Sequence, residues 1–115
     1  MPWLVLEHPE FARERAALDA DTLDKLAMVI RVIEEVGPHL GRPLVDTLKG
    51  SRHTNMKELR VAKGAWRFAF AFDPERRAIV LCGGSKEGVS QTRFYRTLIS
   101  TADARYDEWL QSEGD

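Results

Sequence analysis

An α+β fold, with one small antiparallel sheet, two N-terminal helices and a C-terminal helix, is what this 115-residue sequence predicts. Three observations lead there. From Trp66 to Phe72 the residues alternate, with Trp66, Phe68, Phe70 and Phe72 on one face and Arg67, Ala69 and Ala71 on the other, the two-residue period of a strand. Leu23, Leu26, Ala27, Ile30 and Ile33 instead recur at three- and four-residue spacing, as do Phe94, Leu98, Ala102, Tyr106 and Trp109, the period of helices that bury one stripe. The order of these stretches is strand, two helices, three strands, helix, which favours one sheet of sequential antiparallel strands in a single domain spanning 1–115.

The elements follow in order. Pro2 to Leu6 is a short apolar run, read as the first strand. Pro9 to Leu18 forms a helix with Phe11, Ala12 and Leu18 inward. Asp21 serves as the N-cap of the next helix, with Asp24 in its first turn. Val29, Val32 and Val36 widen its apolar stripe, and Gly37-Pro38 ends it. His39 to Arg52 reads mostly as loop, with Leu44 to Leu48 touching the core. Thr54 to Phe72 is a hairpin turning at Ala62-Lys63-Gly64, where Gly64 suits a positive φ. In its first arm Leu59 and Val61 take the apolar side, while Met56, Glu58 and Arg60 point the other way. Asp73-Pro74 starts a turn, Arg77 to Cys82 is the last strand, and Gly83 to Gly88 is a flexible loop. The closing helix runs from about Gln91 to Leu110, with Tyr95 and Ile99 beside its buried stripe.

A composition of 43% apolar and 30% charged residues is that of ordinary soluble globular material. No apolar run reaches the ~18 residues of a membrane span, and the N-terminus lacks a signal-peptide pattern, so a cytoplasmic location is expected. Cys82 is the sole cysteine; it falls in an apolar strand and reads as a small core residue. The three histidines, His8, His39 and His53, have no metal-ligand spacing, and neither a metal nor a cofactor is expected. The net charge of −1 alone argues against a nucleic-acid binder, but the charge is segregated. Residues 42–105 hold thirteen Lys/Arg against six Asp/Glu, while Glu7 to Glu35 holds eight acids against four bases. Such segregation produces either a basic face on a near-neutral protein or merely clustered solvated charge.

Arg67 stands in an otherwise apolar strand, and a desolvated guanidinium needs a counter-ion. Glu58 on the neighbouring strand and a bound phosphate are both open as that partner, with Arg60 able to supply a second fork. Helices on the aromatic face would leave the face of Glu58, Arg60 and Arg67 as a shallow cleft, with Lys86 and the final helix at its rim. Lys86 reads either as an incidental charge on a connector or as part of a loose phosphate cradle without Walker spacing. His53 reads as an exposed loop histidine or a general acid/base. Tyr95 either fills the core or turns its hydroxyl into the cleft.

The segments SRHTNMKELR, WRFAFAFD, IVLCGGSK and FYR…ADARYDEWL, with the connector GPHLGRPLVDTLKGS, resemble the RelE/ParE superfamily of type II toxins, and within it the HigB-like, phage-derived branch. The resemblance implies a RelE-like domain neutralised by a helix-turn-helix, HigA-like antitoxin. It also implies a metal-independent endoribonuclease that cuts mRNA on the ribosome, leaving a 2′,3′-cyclic phosphate and a 5′-hydroxyl. On it, Arg67 and Arg60 correspond to phosphate-binding arginines, Lys86 to a basic residue after the last strand and Tyr95 to an aromatic hydroxyl near the closing helix; Glu58, His53 or Tyr95 would then move protons. Arg52, Lys57, Lys63 and Arg93 are the further RNA contacts. Glu58 stands where some of these toxins carry a lysine, and the C-terminal histidine of some HigB toxins is missing. Two other readings remain: a ParE-like toxin that binds gyrase, and a catalytically weak homologue acting mainly through its antitoxin.

Overall fold

The computed structural model describes residues 2–61 and 64–114. Five strands form one sheet: β1 (Leu4–Glu7), β2 (Val45–Thr47), β3 (Met56–Arg60), β4 (Trp66–Asp73) and β5 (Arg77–Ser85). Its helices are α1 (Pro9–Arg15), α2 (Ala20–Val36) and α3 (Gln91–Gly114), with a 3-10 turn at Gly37–His39. The spatial order is β1-β5-β4-β3-β2. From β2 to β5 every neighbour is antiparallel, as expected, whereas β1 joins the outer edge of β5 in parallel. The helical crossover through α1 and α2 carries the chain across the sheet and permits that parallel return.

The aromatic row meets α1 and α2. Phe68, Phe70 and Phe72 share a cluster with Phe11, Leu26, Val29 and Ile33, and Phe11 meets Phe68 edge-on at 5.9 Å between centroids. The α2 stripe centres on Leu26, Val29 and Ile33, while Ala27 and Val36 are exposed. Its N-cap is Asp19 rather than Asp21: the Asp19 carboxylate accepts from the Thr22 backbone N–H at 3.2 Å and from the Thr22 hydroxyl at 2.6 Å, the satisfied-donor arrangement that defines a cap. Thr22 holds the Asp19 pKa below the usual carboxylate value. At the other end Gly37 has φ +66°, and a Cβ there would lie 2.3 Å from Trp3 Nε1. Only glycine satisfies both constraints.

The second face is not left open. Along it Met56, Ala69, Ala71, Ile79 and Leu81 pack against Phe94, Leu98, Ala102 and Tyr106 of α3. The small alanines of β4 are what let a helix lie close to the strand. Only the end of this face nearest the start of α3 escapes cover, and Arg60 and Arg67 are there.

Two connectors are more regular than expected. Within His39 to Arg52, Val45–Thr47 forms β2 by pairing with Lys57–Leu59; three residues are too few to show a period in sequence. The first residues of the Gly83–Gly88 loop belong to β5, with Gly83 opposite Phe68 and Gly84 opposite Arg67. Gly83 is required inside a strand because a Cβ would come within 2.4 Å of the Phe68 ring. Of the hairpin turn, Ala62 and Lys63 lie outside the described residues.

Candidate active site

Arg60 and Arg67 are register partners across β3 and β4, so both side chains rise from the same face. Like charges directly opposite repel one another, and the arrangement needs an anion between them. Glu58 supplies it. It stands two residues before Arg60 on β3, hence on the same face, and diagonal to Arg67. Its Oε2 accepts from Arg60 Nη2 at 3.3 Å and its Oε1 lies 3.7 Å from Arg67 Nε. The Tyr95 hydroxyl donates to Oε1 at 2.7 Å. Glu58 is only 4% exposed, so these contacts take the place of its water.

Each guanidinium is held elsewhere as well. Arg67 Nη1 donates to the carbonyls of Gly64 and Trp66, each at 3.0 Å. Arg60 Nη2 lies 3.7 Å from Asp46 Oδ2, and Asp46 is itself paired with Arg42 at 3.0 Å. Among the described residues the Nε of each arginine is buried without a hydrogen-bond partner, which leaves unsatisfied donor capacity beside two positive charges. Burial opposes the charge of Arg60, but the Glu58 carboxylate outweighs it and lifts the pKa above the usual arginine value.

Tyr95 reaches the site from the first turns of α3. Burial, then its hydrogen bond to Glu58, pushes its pKa above the ordinary phenol value, with Arg67 acting the other way. The phenol is therefore protonated at neutral pH, a proton donor rather than a base. Lys86, whose backbone N–H donates to Ala65 O at 2.9 Å, places its Nζ 5.5 Å from the Tyr95 ring centroid, a cation–π distance. Arg60 and Arg67 also line a groove of about 660 Å³ walled by Pro43, Leu44, Val61 and Ala65.

Arg60, Arg67, Glu58, Tyr95 and Lys86 thus come together, and the other candidates lie apart. His53 Nε2 is 2.8 Å from Asp107 Oδ1, and Arg52 pairs with the same carboxylate. Asp107 is twelve residues beyond Tyr95 on α3, roughly 18 Å along the helix axis, so His53 and Arg52 brace the far end of that helix. These two partners, Arg52 foremost, hold the Asp107 pKa below its usual value. Lys57 bonds Thr47 Oγ1 at 3.0 Å and, one residue from Glu58, projects from the aromatic face. Arg93 is exposed and lines a separate trough; Lys63 lies outside the described residues. The groove walls Pro43 and Leu44, together with Asp46, carry no signal in sequence because they belong to the connector whose strand was not visible there. Cys82 is 3% exposed, and burial pushes its thiol up to about 12, the profile of an inert core residue.

Residues 13–107 match the family described as phage-derived protein Gp49-like (DUF891). The chain is 45% identical over 105 residues to the putative toxin HigB3 of Mycobacterium tuberculosis, covering 91% of each. It is 48% identical over 96 residues to the putative toxin HigB2 of the same organism, matching 81% of this chain and 47% of that longer protein. In fold it is similar to a free-state mutant of the E. coli toxin RelE, with TM-score 0.65 and 13% identity over 87% of this chain and 96% of that one. It is also similar to a chain of the RelBE2 toxin–antitoxin complex of M. tuberculosis, with TM-score 0.55 and 16% identity over 74% of this chain and 99% of that one. With the Gp49-like match spanning most of its length and a HigB relative aligned almost end to end, the chain belongs to the phage-derived Gp49-like family, as a RelE/HigB-type toxin of a toxin–antitoxin system.

Proposed function

We propose that this toxin is a ribosome-dependent mRNA endonuclease working by metal-independent acid/base chemistry. The observation that carries the reading is the direct opposition of Arg60 and Arg67 at the mouth of a groove, with a carboxylate and a protonated phenol in hydrogen-bonded contact beside them. Paired guanidiniums are suited to the non-bridging oxygens of a phosphodiester and to the extra charge of its phosphorane. Lys86 adds a third positive charge at the rim.

The chemistry follows from these groups. The 2′-hydroxyl of the bound nucleotide gives its proton to the Glu58 carboxylate as its oxygen attacks the adjacent phosphorus. The bond from phosphorus to the 5′-oxygen breaks, and that oxygen takes the proton of the Tyr95 hydroxyl. The products are a 2′,3′-cyclic phosphate and a 5′-hydroxyl; proton return from Glu58 to Tyr95, already 2.7 Å apart, restores the starting state. The mRNA phosphate has to compete with Glu58 for the arginines, so binding and proton transfer are coupled through one side chain.

One observation favours the weaker reading, a homologue acting mainly through its antitoxin: both guanidiniums already have Glu58 as counter-ion. Mapping mRNA 5′ ends after induction separates the two. New 5′-hydroxyl ends within translated codons, absent when ribosomes are blocked from initiating, support the nuclease. Growth arrest with intact transcripts defeats it, and accompanying DNA damage would point to a gyrase-directed toxin.

A further inference from the structure

The outer edge of β5 is only half used. β1 pairs with it from Arg77 to Val80, yet the strand continues to Ser85 and, among the described residues, has no other strand neighbour on that side. The Leu81 carbonyl there accepts from Arg105 Nη1 at 2.8 Å. Beyond it the edge is available. The Lys86 N–H turns inward to Ala65, and by strand alternation Ser85 and Gly83 direct their N–H and C=O groups outward. An open strand edge of this kind is a template for another strand.

Beside this edge runs a trough of about 490 Å³ between α1 and α3, walled by Phe11, Phe68, Phe94 and Leu98 and rimmed by Val89 and Arg93. Gly83 and Gly84 carry no side chains of their own, and the rings of Phe68 and Phe94 lie close over them, so apolar side chains of an incoming strand would meet aromatic walls. Arg105 is already bound to Glu14, at 2.8 and 2.7 Å. Arg93 is exposed and has no ion pair among the described residues, so the rim offers unneutralised positive charge. Outward backbone groups two residues apart suit an extended chain and not a helix. The apolar walls select alternate apolar side chains, and Arg93 selects an acidic one.

We propose that an extended, acidic and apolar segment of the antitoxin adds to the sheet along Gly83–Ser85 and seats its apolar side chains in the α1–α3 trough. This surface is separate from the Arg60/Arg67 groove and does not depend on the chain cleaving RNA. Inhibition by it would act on the toxin's shape or its access to the ribosome, not by filling the phosphate site.

The test is residue-resolved amide hydrogen exchange on the full chain, free and in complex with the antitoxin co-expressed from its operon. The Gly83 and Ser85 amides are expected to exchange at least tenfold more slowly in the complex. Val89→Asp with Thr97→Asp, both exposed positions on the trough, should weaken the complex at least tenfold while leaving the circular dichroism and Tm of the free chain unchanged. Equal exchange of the two amides in free and bound chain overturns the proposal, as does wild-type affinity in the double variant. Protection of the same amides by a 2′-deoxy-substituted RNA oligonucleotide, and not by the antitoxin, assigns the trough to nucleic acid and overturns it too. Loss of nuclease activity in cells has no bearing on any of these readouts.

Discussion

The Tyr95 hydroxyl lies 2.7 Å from Glu58 Oε1, joining the first turns of α3 to the strand that carries Arg60. Through this bond the helix that covers most of one sheet face also fixes the carboxylate between the two arginines. Replacing Glu58 by alanine leaves two guanidiniums in direct register without their shared counter-ion. Removing one partner of a buried charge cluster typically costs about 3–5 kcal/mol, and urea denaturation of Glu58→Ala should show a loss of that order. Arg60→Ala in the same chain should recover part of it. Additive losses would mean that the three charges do not act as a unit.

Arg67 tests the chemistry more sharply than Arg60, because it is the less exposed of the two and is fixed by two backbone carbonyls. Loss of one donor to a developing anion costs roughly 10²–10³ in rate. Arg67→Ala should lower ribosome-dependent cleavage by at least 100-fold in single-turnover assays with mRNA-programmed ribosomes. Arg67→Lys should recover little, since an ammonium cannot reproduce the fork. Wild-type cleavage by Arg67→Ala would remove the arginine from the mechanism.

Tyr95→Phe keeps the ring against Lys86 and removes the hydroxyl proposed as the proton donor. Cleavage should fall by about 10²–10⁴ with little change in mRNA-programmed ribosome binding, which a pull-down measures. A modified substrate whose 5′-oxygen leaving group is replaced by sulfur needs less protonation, and should restore much of the lost rate. No rescue by that substrate would move Tyr95 from proton donor to positioning group.

Alkaline pH should destabilise the fold in a predictable way. Burial raises the Cys82 thiol from 9.0 to about 12, and burial together with Glu58 raises Tyr95. Both groups keep their protons longer in the folded chain than in the unfolded one. Their contribution is therefore complete below the unfolded values and is lost as pH climbs towards the folded ones. For the thiol that window is pH 9 to 12, with a slope approaching about 1.4 kcal/mol per pH unit. Cys82→Ala should flatten the fall of denaturant stability with pH across that range, and an unchanged slope would argue that the thiol is not buried.

How much of this was legible in the sequence follows from where the signals sit. The aromatic alternation of β4 and the helical stripe of α3 are long enough to show their periods, and they fix the two faces of the sheet. Alternation also placed Glu58, Arg60 and Arg67 together, because two adjacent strands decide that relationship. Contacts made by chain folding back over long distances left no trace. His53 bonds Asp107 across more than fifty residues, so its nearness to the hairpin in sequence misled. The cover that α3 gives to the second face was equally hidden, since alanines at 69 and 71 are compatible with open cleft and close-packed helix alike. β2 is too short to declare a period, and paired glycines at 83 and 84 read as flexibility where the structure uses them for close approach.

Gly83 makes that last distinction measurable. In a flexible loop Gly83→Ala would be neutral, or would stabilise by about 0.4–1 kcal/mol through the unfolded chain. In β5 the added Cβ would stand 2.4 Å from Phe68 Cδ1 and 2.6 Å from Cε1, and that ring is fully buried against Phe11. Moving the ring aside would break its edge-on contact with Phe11, and the overpacking should cost the usual ~1–3 kcal/mol. Phe68→Leu in the same chain provides room and should return part of that loss, so the double variant should be more stable than the sum of the single changes predicts. Denaturant melts of the four chains decide it: a neutral Gly83→Ala would place residue 83 outside the strand, and with it the open edge beside α1 and α3.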